Sequence, residues 1–334
     1  MKSIVVGGNF GGDQKASGVA RKLAQSLQAD IHNGGDIEAL KNIDISGYEL
    51  IVWMPNVSND EEKTYPTKPK GSVMFVSKFL HGDCTEVDAI TRIFKMNGNA
   101  VIAIIKSKDK YLFKLIDALG NVWSNTYEIG LLAERMKDLT EWTCCSLRKG
   151  TRRYQPEFLR HLVELNKKVA DEFEQVKGRY FGNVSTRCLK MFPSARTQDD
   201  TYFFSRRNCS KKRLELSDMV MVNESDGQMF YHGIHKPSVD TPVQIEIYKD
   251  YPDVNFMIHG HTYIKNVPFT SKYYPCGDIR EAVALRNENP GDRINLLNHG
   301  FLMLARDIDH LRTIVDECEL IERTVGFEKV YSRL

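Results

Sequence analysis

The chain has 334 residues, of which 42% are hydrophobic and 27% are charged, as is typical of a soluble globular protein with a well-filled core. Its 46 Lys and Arg residues against 44 Asp and Glu residues leave a formal charge of +2, which argues against a general affinity for nucleic acid or anionic membranes. Seven scattered cysteines without a Cys-x-x-Cys pair indicate reduced thiols. With no signal peptide and no apolar stretch near the ~20 residues of a membrane span, we expect a cytoplasmic protein.

The first part of the chain alternates apolar strands with helical stretches. The predicted strands are "SIVVGG", "YELIVWMPNV", "SVMFVSK" and "NAVIAIIKS", and the predicted helices are about 16–27, "TEVDAITRIFKMNG" and "KYLFKLIDALGN". Continuous apolar strands alternating with helices are typical of a parallel sheet covered on both faces. We therefore predict a flavodoxin-like or Rossmann-like α/β domain over about residues 1–140.

A glycine-rich stretch, "VVGGNFGGDQ", lies between the first strand and the first helix. Backbone N–H groups at such a position can bind phosphate, so Gly8, Gly11 and Gly12 are candidates for binding a nucleotide or another phosphate group. The stretch is neither G-x-G-x-x-G nor a P-loop, and glycines also occur in turns that bind nothing. The sequence leaves both interpretations open.

The second part of the chain has an α+β pattern. A helix is predicted from Pro156 to about Val176, before strands in "GNVSTR", "TYFFSRR" and "MVMVNESDGQMFY", the last with a turn at Asp226–Gly227. Further helices, at about 241–250, 278–289 and 307–323, alternate with the strands "VNFMIHGH" and "INLLNHGFLMLA". We predict a second domain over about residues 150–334, with a mostly antiparallel central sheet.

Two histidines, His259 and His261, stand one residue apart in "NFMIHGHTYI". Side chains at i and i+2 of a strand project from the same face, so the two imidazoles could bind one metal ion. The pair alone is weak support, because buried histidines are common without metals. A third histidine, His299, lies in another apolar stretch, and an adjacent strand would bring it beside the pair. Three histidines with an open fourth position are typical of catalytic zinc.

The order of several motifs between about 155 and 325 resembles the class II aldolase/adducin family. "GNVSTR" is similar to its G-N-I-S-x-R turn, "PSVD" to its P-S-S-E stretch, and "IHGH" and "NHG" to its H-x-H and N-H-G motifs. The resemblance implies that His259, His261 and His299 bind zinc, and that Asp240 replaces the family's glutamate as catalytic base. Alternatively, Asp240 only caps the helix that begins near Thr241.

The resemblance also implies a substrate phosphate site and a proton donor. The candidate substrate-binding residues are Gly182, Asn183, Ser185, Ser205, Arg206, Arg207 and Ser238. The two arginines replace small residues of the family; they could bind an anion through side chains, or belong to a solvated basic run, "RRNCSKKR". Tyrosines often protonate the product in this family, which makes Tyr263 and Tyr331 candidate catalytic residues.

Together these features predict a zinc-dependent lyase of the aldolase type, acting through a metal-stabilised enediolate on a phosphorylated or otherwise anionic sugar-like substrate. The alternatives are a sugar-phosphate epimerase or dehydratase of the same fold, and a non-catalytic, adducin-like binding or assembly protein. His261 and His299 are only 38 residues apart, which leaves little room for the segment that carries a catalytic Asp in the epimerases. The resemblance implies a homo-oligomer, with a tetramer favoured.

Overall fold

The computed structural model describes residues 1–7, 14–34, 40–55, 69, 71–144, 147–152, 157–170, 175–176, 179–187 and 201–321. The chain divides into two compact units, and the described residues of the first lie within 1–144 and those of the second within 147–321. Each unit has its own main sheet. Within the described part of the chain, no helix is both long and apolar enough to cross a membrane.

The first unit contains a seven-stranded sheet in the order β2-β1-β3-β4-β5-β6-β7. Its strands are β1 (Ser3–Gly7), β2 (Asp30–Asn33), β3 (Leu50–Trp53), β4 (Val73–Leu80), β5 (Ala100–Ser107), β6 (Lys110–Asp117) and β7 (Val122–Thr126). The described helices are α1 (Gln14–Leu27), α2 (Glu86–Lys95) and α3 (Ile129–Cys144). The first five strands are parallel, in the flavodoxin-like order, and β6 and β7 are antiparallel. The prediction of a mostly parallel sheet is confirmed.

Burial explains which strands occupy the centre of this sheet. Every residue of β1 and β3 is buried, whereas the edge strand β2 is exposed. Helices α1 and α3 bury Leu23 and Met136 in one cluster with Phe75 of the sheet. Helix α2 packs on β4 and β5 and begins after Thr85, whose backbone N–H donates to the Asp88 carboxylate over 2.7 Å, as in a capping box.

One segment of the first unit differs from the prediction. "KYLFKLIDALGN" contains strand β6 and not a helix, because it folds back on β5 as a hairpin. The hairpin turns at Lys108, whose φ is 51°, and pairs Ser107 with Lys110. A short apolar run satisfies a helical or a strand period equally well, and here the neighbouring strand determines the outcome.

The second unit contains an eight-stranded sheet in the order β17-β18-β15-β11-β12-β13-β14-β8. Its strands are β8 (Arg148–Gly150), β11 (Asn183–Arg187), β12 (Thr201–Ser205), β13 (Met219–Ser225), β14 (Gln228–His232), β15 (Phe256–Gly260), β17 (Arg293–Leu296) and β18 (Gly300–Ala305). Two short pairs stand apart: β9 (Gln175–Val176) with β10 (Arg179–Tyr180), and β16 (Tyr263–Ile264) with β19 (Leu320–Ile321). Only the contact of β8 with β14 is parallel in the eight-stranded sheet, so the predicted antiparallel character is confirmed.

Helices cover both faces of this second sheet. The described helices are α4 (Arg160–Val169), α5 (Thr241–Asp250), α6 (Arg280–Glu288) and α7 (Ile308–Glu317), with single 3₁₀ turns at Glu157–Leu159 and Leu216–Asp218. On one face α4 and α7 share a core with Ile258, and on the other α5 and α6 share a core with Met257. Because side chains alternate along a strand, His259 points to the same face as Met257, towards α5 and α6.

Two further predictions need correction in the second unit. Helix α4 ends at Val169 and not near Val176, because Gln175–Val176 pairs with β10. "INLLNHGFLMLA" is not one strand but the hairpin of β17 and β18, with His299 in its turn. The predicted turn at Asp226–Gly227 is present, with φ values of 52° and 72°.

Gly182, which leads into β11, illustrates how closely the central strands approach each other. Its φ is +72°, and a Cβ atom at this position would lie 2.6 Å from the carbonyl oxygen of His259 on β15. Gly227 has the same φ of +72° in the β13–β14 turn, but its position is surrounded by open space. The two glycines therefore share the same φ and differ in how crowded their surroundings are.

We expect Gly182→Ala to destabilise the protein more than Gly227→Ala. The left-handed backbone should cost about 1–2 kcal/mol in both variants, and the clash in Gly182→Ala should add about 1–3 kcal/mol. Urea unfolding of the metal-free proteins measures both changes. Equal losses of stability in the two variants would show that β11 and β15 can separate without cost.

Candidate metal centre

Three imidazoles converge at one end of β15. His259 is on the strand, His261 follows it directly, and His299 lies in the β17–β18 turn next to β15. The ring centroids are 4.9 Å apart for His259 and His261, 4.7 Å for His259 and His299, and 5.2 Å for His261 and His299. One ring nitrogen of each lies within 4.8 Å of the other two. The three side chains can therefore coordinate one cation.

Hydrogen bonds fix the orientation of two of these rings. Nδ1 of His259 donates to the backbone carbonyl of Phe301 over 2.8 Å, so Nε2 is left to face the other histidines. Nδ1 of His299 lies 3.0 Å from Oε1 of Glu281, a buried residue on α6. Metal-binding histidines typically use their second nitrogen in this way, because the contact fixes the tautomer and the ring orientation.

Burial and neighbouring charges give the two innermost histidines different pKa values. Burial, followed by the charge of His299, lowers the pKa of His259 to about 4, so its imidazole is neutral near pH 7. Burial acts against protonation of His299 too, but the neighbouring Cys276 and Glu281 raise the pKa of His299 well above its ordinary value. Burial also raises the pKa of Glu281. Binding of a cation at His299 therefore displaces a proton.

Asp240 faces the histidines from the start of α5. It occupies the cap position of that helix, but its side chain makes no capping hydrogen bond. Its Oδ1 accepts from the backbone N–H of Gly277 over 2.9 Å, and its Oδ2 accepts from the Asn183 amide over 3.3 Å. Oδ2 is 3.9 Å from Nε2 of His259. The structure thus orients this carboxylate towards the metal centre and not towards the helix.

Asn183 completes the inner part of the site. It pairs with His259 across β11 and β15, so the two side chains share a face of the sheet. Its amide nitrogen donates to Asp240, whereas its buried Oδ1 has no hydrogen-bond partner among the described residues. A buried oxygen in this position is suited to accept a hydrogen bond from a bound ligand.

The three predicted serines lie close to this site, and their hydroxyl groups contact other groups of the protein. The Ser185 hydroxyl is 2.8 Å from Oε1 of Gln244 and 3.0 Å from the Tyr248 hydroxyl, both on α5. The Ser205 hydroxyl accepts from the backbone N–H of Val184 over 3.2 Å. The Ser238 hydroxyl lies 3.5 Å from Oδ2 of Asp240. Of the three, Ser238 is therefore the one in contact with the catalytic candidate.

The remaining predicted residues have different surroundings. Nε of Arg206 donates to Asp218 over 2.5 Å, and Arg207 is half-buried, with its backbone N–H donating to the carbonyl of Lys236 over 2.8 Å. The Tyr263 hydroxyl, on β16, accepts from the backbone N–H of Asn298 over 3.2 Å, next to His299 in the chain. Four predicted residues lie outside the described part of the chain: Gly8, Gly11, Gly12 and Tyr331.

Three residues of the site were not predicted from the sequence. Glu281 contacts His299 from α6, and Sγ of Cys276 is 3.1 Å from Nε2 of His299. Lys211 is only 4% exposed, donates through Nζ to the carbonyl of Cys209 over 2.8 Å, and lines a cleft with His259 and His261. Its position in "CSKKR" resembles an exposed basic run, and nothing in that run distinguishes the buried lysine from its neighbours.

The family described as class II aldolase and adducin N-terminal domain matches residues 160–270. This span contains the Asn183 turn, Asp240 and the His259–His261 pair. The chain carries a class II aldolase/adducin domain. The match over residues 160–270 suggests a metal-dependent, aldolase-type enzyme, and the His259, His261 and His299 group could bind the metal. The recognition made from the order of motifs is confirmed.

Solved structures of aldolases are also similar to this chain. A sugar-phosphate aldolase from Thermotoga maritima is 13% identical, with a TM-score of 0.38, over 48% of this chain and 91% of its own. An L-fuculose 1-phosphate aldolase is 19% identical, with a TM-score of 0.38, over 50% of this chain and 84% of its own. The N-terminal class II aldolase domain of a Thermoplasma acidophilum protein is 13% identical, with a TM-score of 0.32, over 52% of this chain and 96% of its own. A search of curated proteins returns no match.

We expect the protein to bind about one Zn²⁺ per chain through this class II aldolase/adducin domain. His259→Ala should lower the amount of zinc that is retained after dialysis, because it removes one of the three imidazole ligands from the centre. His235→Ala, which replaces an exposed histidine of the same unit, should leave binding unchanged. Metal analysis of the purified proteins after dialysis against zinc measures the outcome. Full zinc content in His259→Ala would place the metal elsewhere.

Proposed function

We propose that the second unit is a zinc-dependent lyase of the aldolase type, and that its substrate is a phosphorylated or otherwise anionic sugar-like molecule. The observation that carries this proposal is the convergence of three imidazoles beside a buried carboxylate that does not cap its helix. A scaffold protein has no use for that arrangement, because burying such polar groups is unfavourable unless they bind something.

The residues around the centre support a division of roles. When bound, zinc would polarise a substrate carbonyl and stabilise the negative charge that develops on it. In the direction of aldol addition, Asp240 would remove a proton from the carbon adjacent to that carbonyl, with its carboxylate held in place by Asn183 and Gly277. That carbon would then form a bond to the carbonyl carbon of an aldehyde, and cleavage would run the same steps in reverse, with the C–C bond broken and the carbon protonated by Asp240. The Oδ1 atom of Asn183, which has no partner in the described part of the chain, would accept a hydrogen bond from a substrate hydroxyl. Tyr263, or Tyr331 from outside the described residues, would protonate the aldehyde oxygen during addition and accept the proton of the corresponding hydroxyl during cleavage.

Lys211 supports an anionic substrate more directly than Arg206 does. Arg206 is engaged by Asp218, which neutralises its charge. Lys211 places a buried ammonium group in the cleft that His259 and His261 line, and its charge contributes to the lowered pKa of His259. We infer that the anionic part of the substrate binds near Lys211.

A screen of phosphorylated ketoses and nucleotide sugars tests the reaction, with mass spectrometry to detect cleavage, isomerisation or loss of water. Aldol cleavage is expected, whereas a new chromatographic peak of unchanged mass would indicate an epimerase and a product lighter by one water molecule a dehydratase. The zinc-free protein is the control. Turnover that persists at the same rate after removal of zinc would refute the mechanism.

We expect Asp240→Asn to lower kcat by about 10²–10⁴ while zinc content is retained, since a general base typically contributes that much. Asp226→Asn provides a matched control, because Asp226 lies in an exposed turn whose left-handed φ of 52° asparagine tolerates well. Steady-state kinetics on the substrate from the screen, with zinc analysis of each variant, measures the effect. A kcat like that of the unmodified protein would exclude Asp240 as the base.

We expect Lys211→Met to reduce the preference for the phosphorylated over the unphosphorylated substrate by about tenfold or more. Methionine keeps the length and apolar stem of the buried lysine but removes its charge. Lys212→Met, at the exposed neighbouring position, should change little. The ratio of kcat/KM for the two substrate forms measures the effect. If both variants keep the same ratio, the anion binds elsewhere, with Arg207 as the next candidate.

Assembly, location and the role of the first unit remain predictions. We propose a homo-oligomer, favouring a tetramer, and note that Ile279 and Val283 are both exposed and lie four residues apart at the start of α6. We propose a cytoplasmic location, since Cys84, Cys209, Cys276 and Cys318 form no disulfide bond among the described residues. A nucleotide remains the proposed ligand of the glycine-rich stretch in the first unit.

A further inference from the structure

Cys276 lies in the segment between β16 and α6, where the proposed mechanism gives it no role. Its Sγ is 3.1 Å from Nε2 of His299. Because Nδ1 of His299 is occupied by Glu281, Nε2 is the nitrogen that this histidine can offer to a cation. The thiol is thus placed against the very atom that the three-histidine centre would use.

The ligand atoms of the site form two groups that share His299. The first group is His259, His261 and His299, and the second is Asp240, Cys276 and His299, with the atoms of each within 4.8 Å of one another. In a tetrahedral zinc site, the usual Zn–N and Zn–S bond lengths place two nitrogens about 3.3 Å apart and a nitrogen and a sulfur about 3.6 Å apart. The His259–His261 and Cys276–His299 contacts, both 3.1 Å, are close to these values.

Asp240 is connected to the segment that carries the thiol. Oδ1 of Asp240 accepts from the backbone N–H of Gly277, the residue directly after Cys276, and so ties this segment to the site. Both carboxylate oxygens of Asp240 already accept hydrogen bonds, and Oδ2 is 3.9 Å from Nε2 of His259. The distance from Sγ of Cys276 to Nε2 of His299, 3.1 Å, is shorter than the 3.9 Å between the Asp240 carboxylate and His259.

We propose that Cys276 is the fourth protein ligand of the metal in the substrate-free protein, which gives a His₃Cys set in place of three histidines with an open position. Binding of the metal would release the thiol proton and neutralise one positive charge of the cation. A thiolate ligand also favours zinc and cobalt over magnesium, calcium and manganese. This inference rests on the proposed metal centre.

Cobalt substitution tests the ligand set independently of activity. Cobalt(II) bound by a thiolate shows a sulfur-to-metal charge-transfer band in the near ultraviolet, in addition to the visible bands that nitrogen ligands also give. We expect both bands in the unmodified protein. Cys276→Ser should lose the near-ultraviolet band while it retains the visible bands and about one Co²⁺ per chain. Cys318→Ser, which replaces another half-buried thiol of the same unit, should keep both bands.

A second measurement uses the unmodified chain, so it does not depend on how a variant folds. Iodoacetamide labelling with peptide mapping should show that zinc slows alkylation of Cys276 by about tenfold or more, because a coordinated thiolate is a poorer nucleophile. Cys84, a half-buried thiol of the first unit, should react at the same rate with and without zinc.

The outcomes separate this inference from the proposed function. Cobalt bound without a near-ultraviolet band, or a band that persists in Cys276→Ser, would overturn the role of Cys276 and leave the three-histidine centre intact. Alkylation of Cys276 that zinc does not slow would have the same meaning. Failure of the unmodified protein to bind cobalt or zinc at all would overturn the metal centre and this ligand with it.

Discussion

The site depends on the close backbone approach of two His-Gly pairs, His259–Gly260 at the end of β15 and His299–Gly300 at the start of β18. A Cβ atom on Gly300, whose φ is +153°, would lie 1.9 Å from the carbonyl oxygen of Gly260. Each glycine removes the side chain that would otherwise hold these strand ends apart. The preceding imidazoles consequently lie face to edge, with their centroids 4.7 Å apart.

That approach creates a cluster of polar groups with little access to water. His259, His299, Asp240, Glu281 and Asn183 are all less than 10% exposed. Buried polar groups are unfavourable unless they are paired. Here the hydrogen bond that His259 donates to the carbonyl of Phe301 and the one that Asp240 accepts from the N–H of Gly277 offset part of the cost. A cation that binds only the folded chain would stabilise it further through mass action. The arrangement is thus better explained by what it binds than by the stability it contributes.

The sequence predicted the structure correctly where a local pattern of residues is compatible with only one kind of structure. Alternation around His259, the Asp226–Gly227 turn and the continuous apolar strands predicted the neighbourhood of the centre and both sheet types. The predictions failed where the structure depends on contacts between residues that are far apart in the chain. The hairpin that makes β6 a strand depends on β5, and the contacts of Glu281 and Cys276 with His299 depend on how α6 is placed. Spacing along the chain carries no information about such contacts.

The aspartate at position 240, the thiol of Cys276 and the ammonium group of Lys211 can be considered together, because all three lie near the histidines. An aspartate in place of a glutamate is one methylene shorter, and Asp240 is held by Asn183 and Gly277 at 3.9 Å from the nearest imidazole nitrogen. The segment that Gly277 connects to Asp240 places Sγ of Cys276 3.1 Å from Nε2 of His299. A cation that keeps a thiolate carries less net charge than one bound by neutral imidazoles alone. An anionic substrate would then depend more on a second positive charge from the protein. The buried ammonium group of Lys211 lies in the cleft that His259 and His261 line.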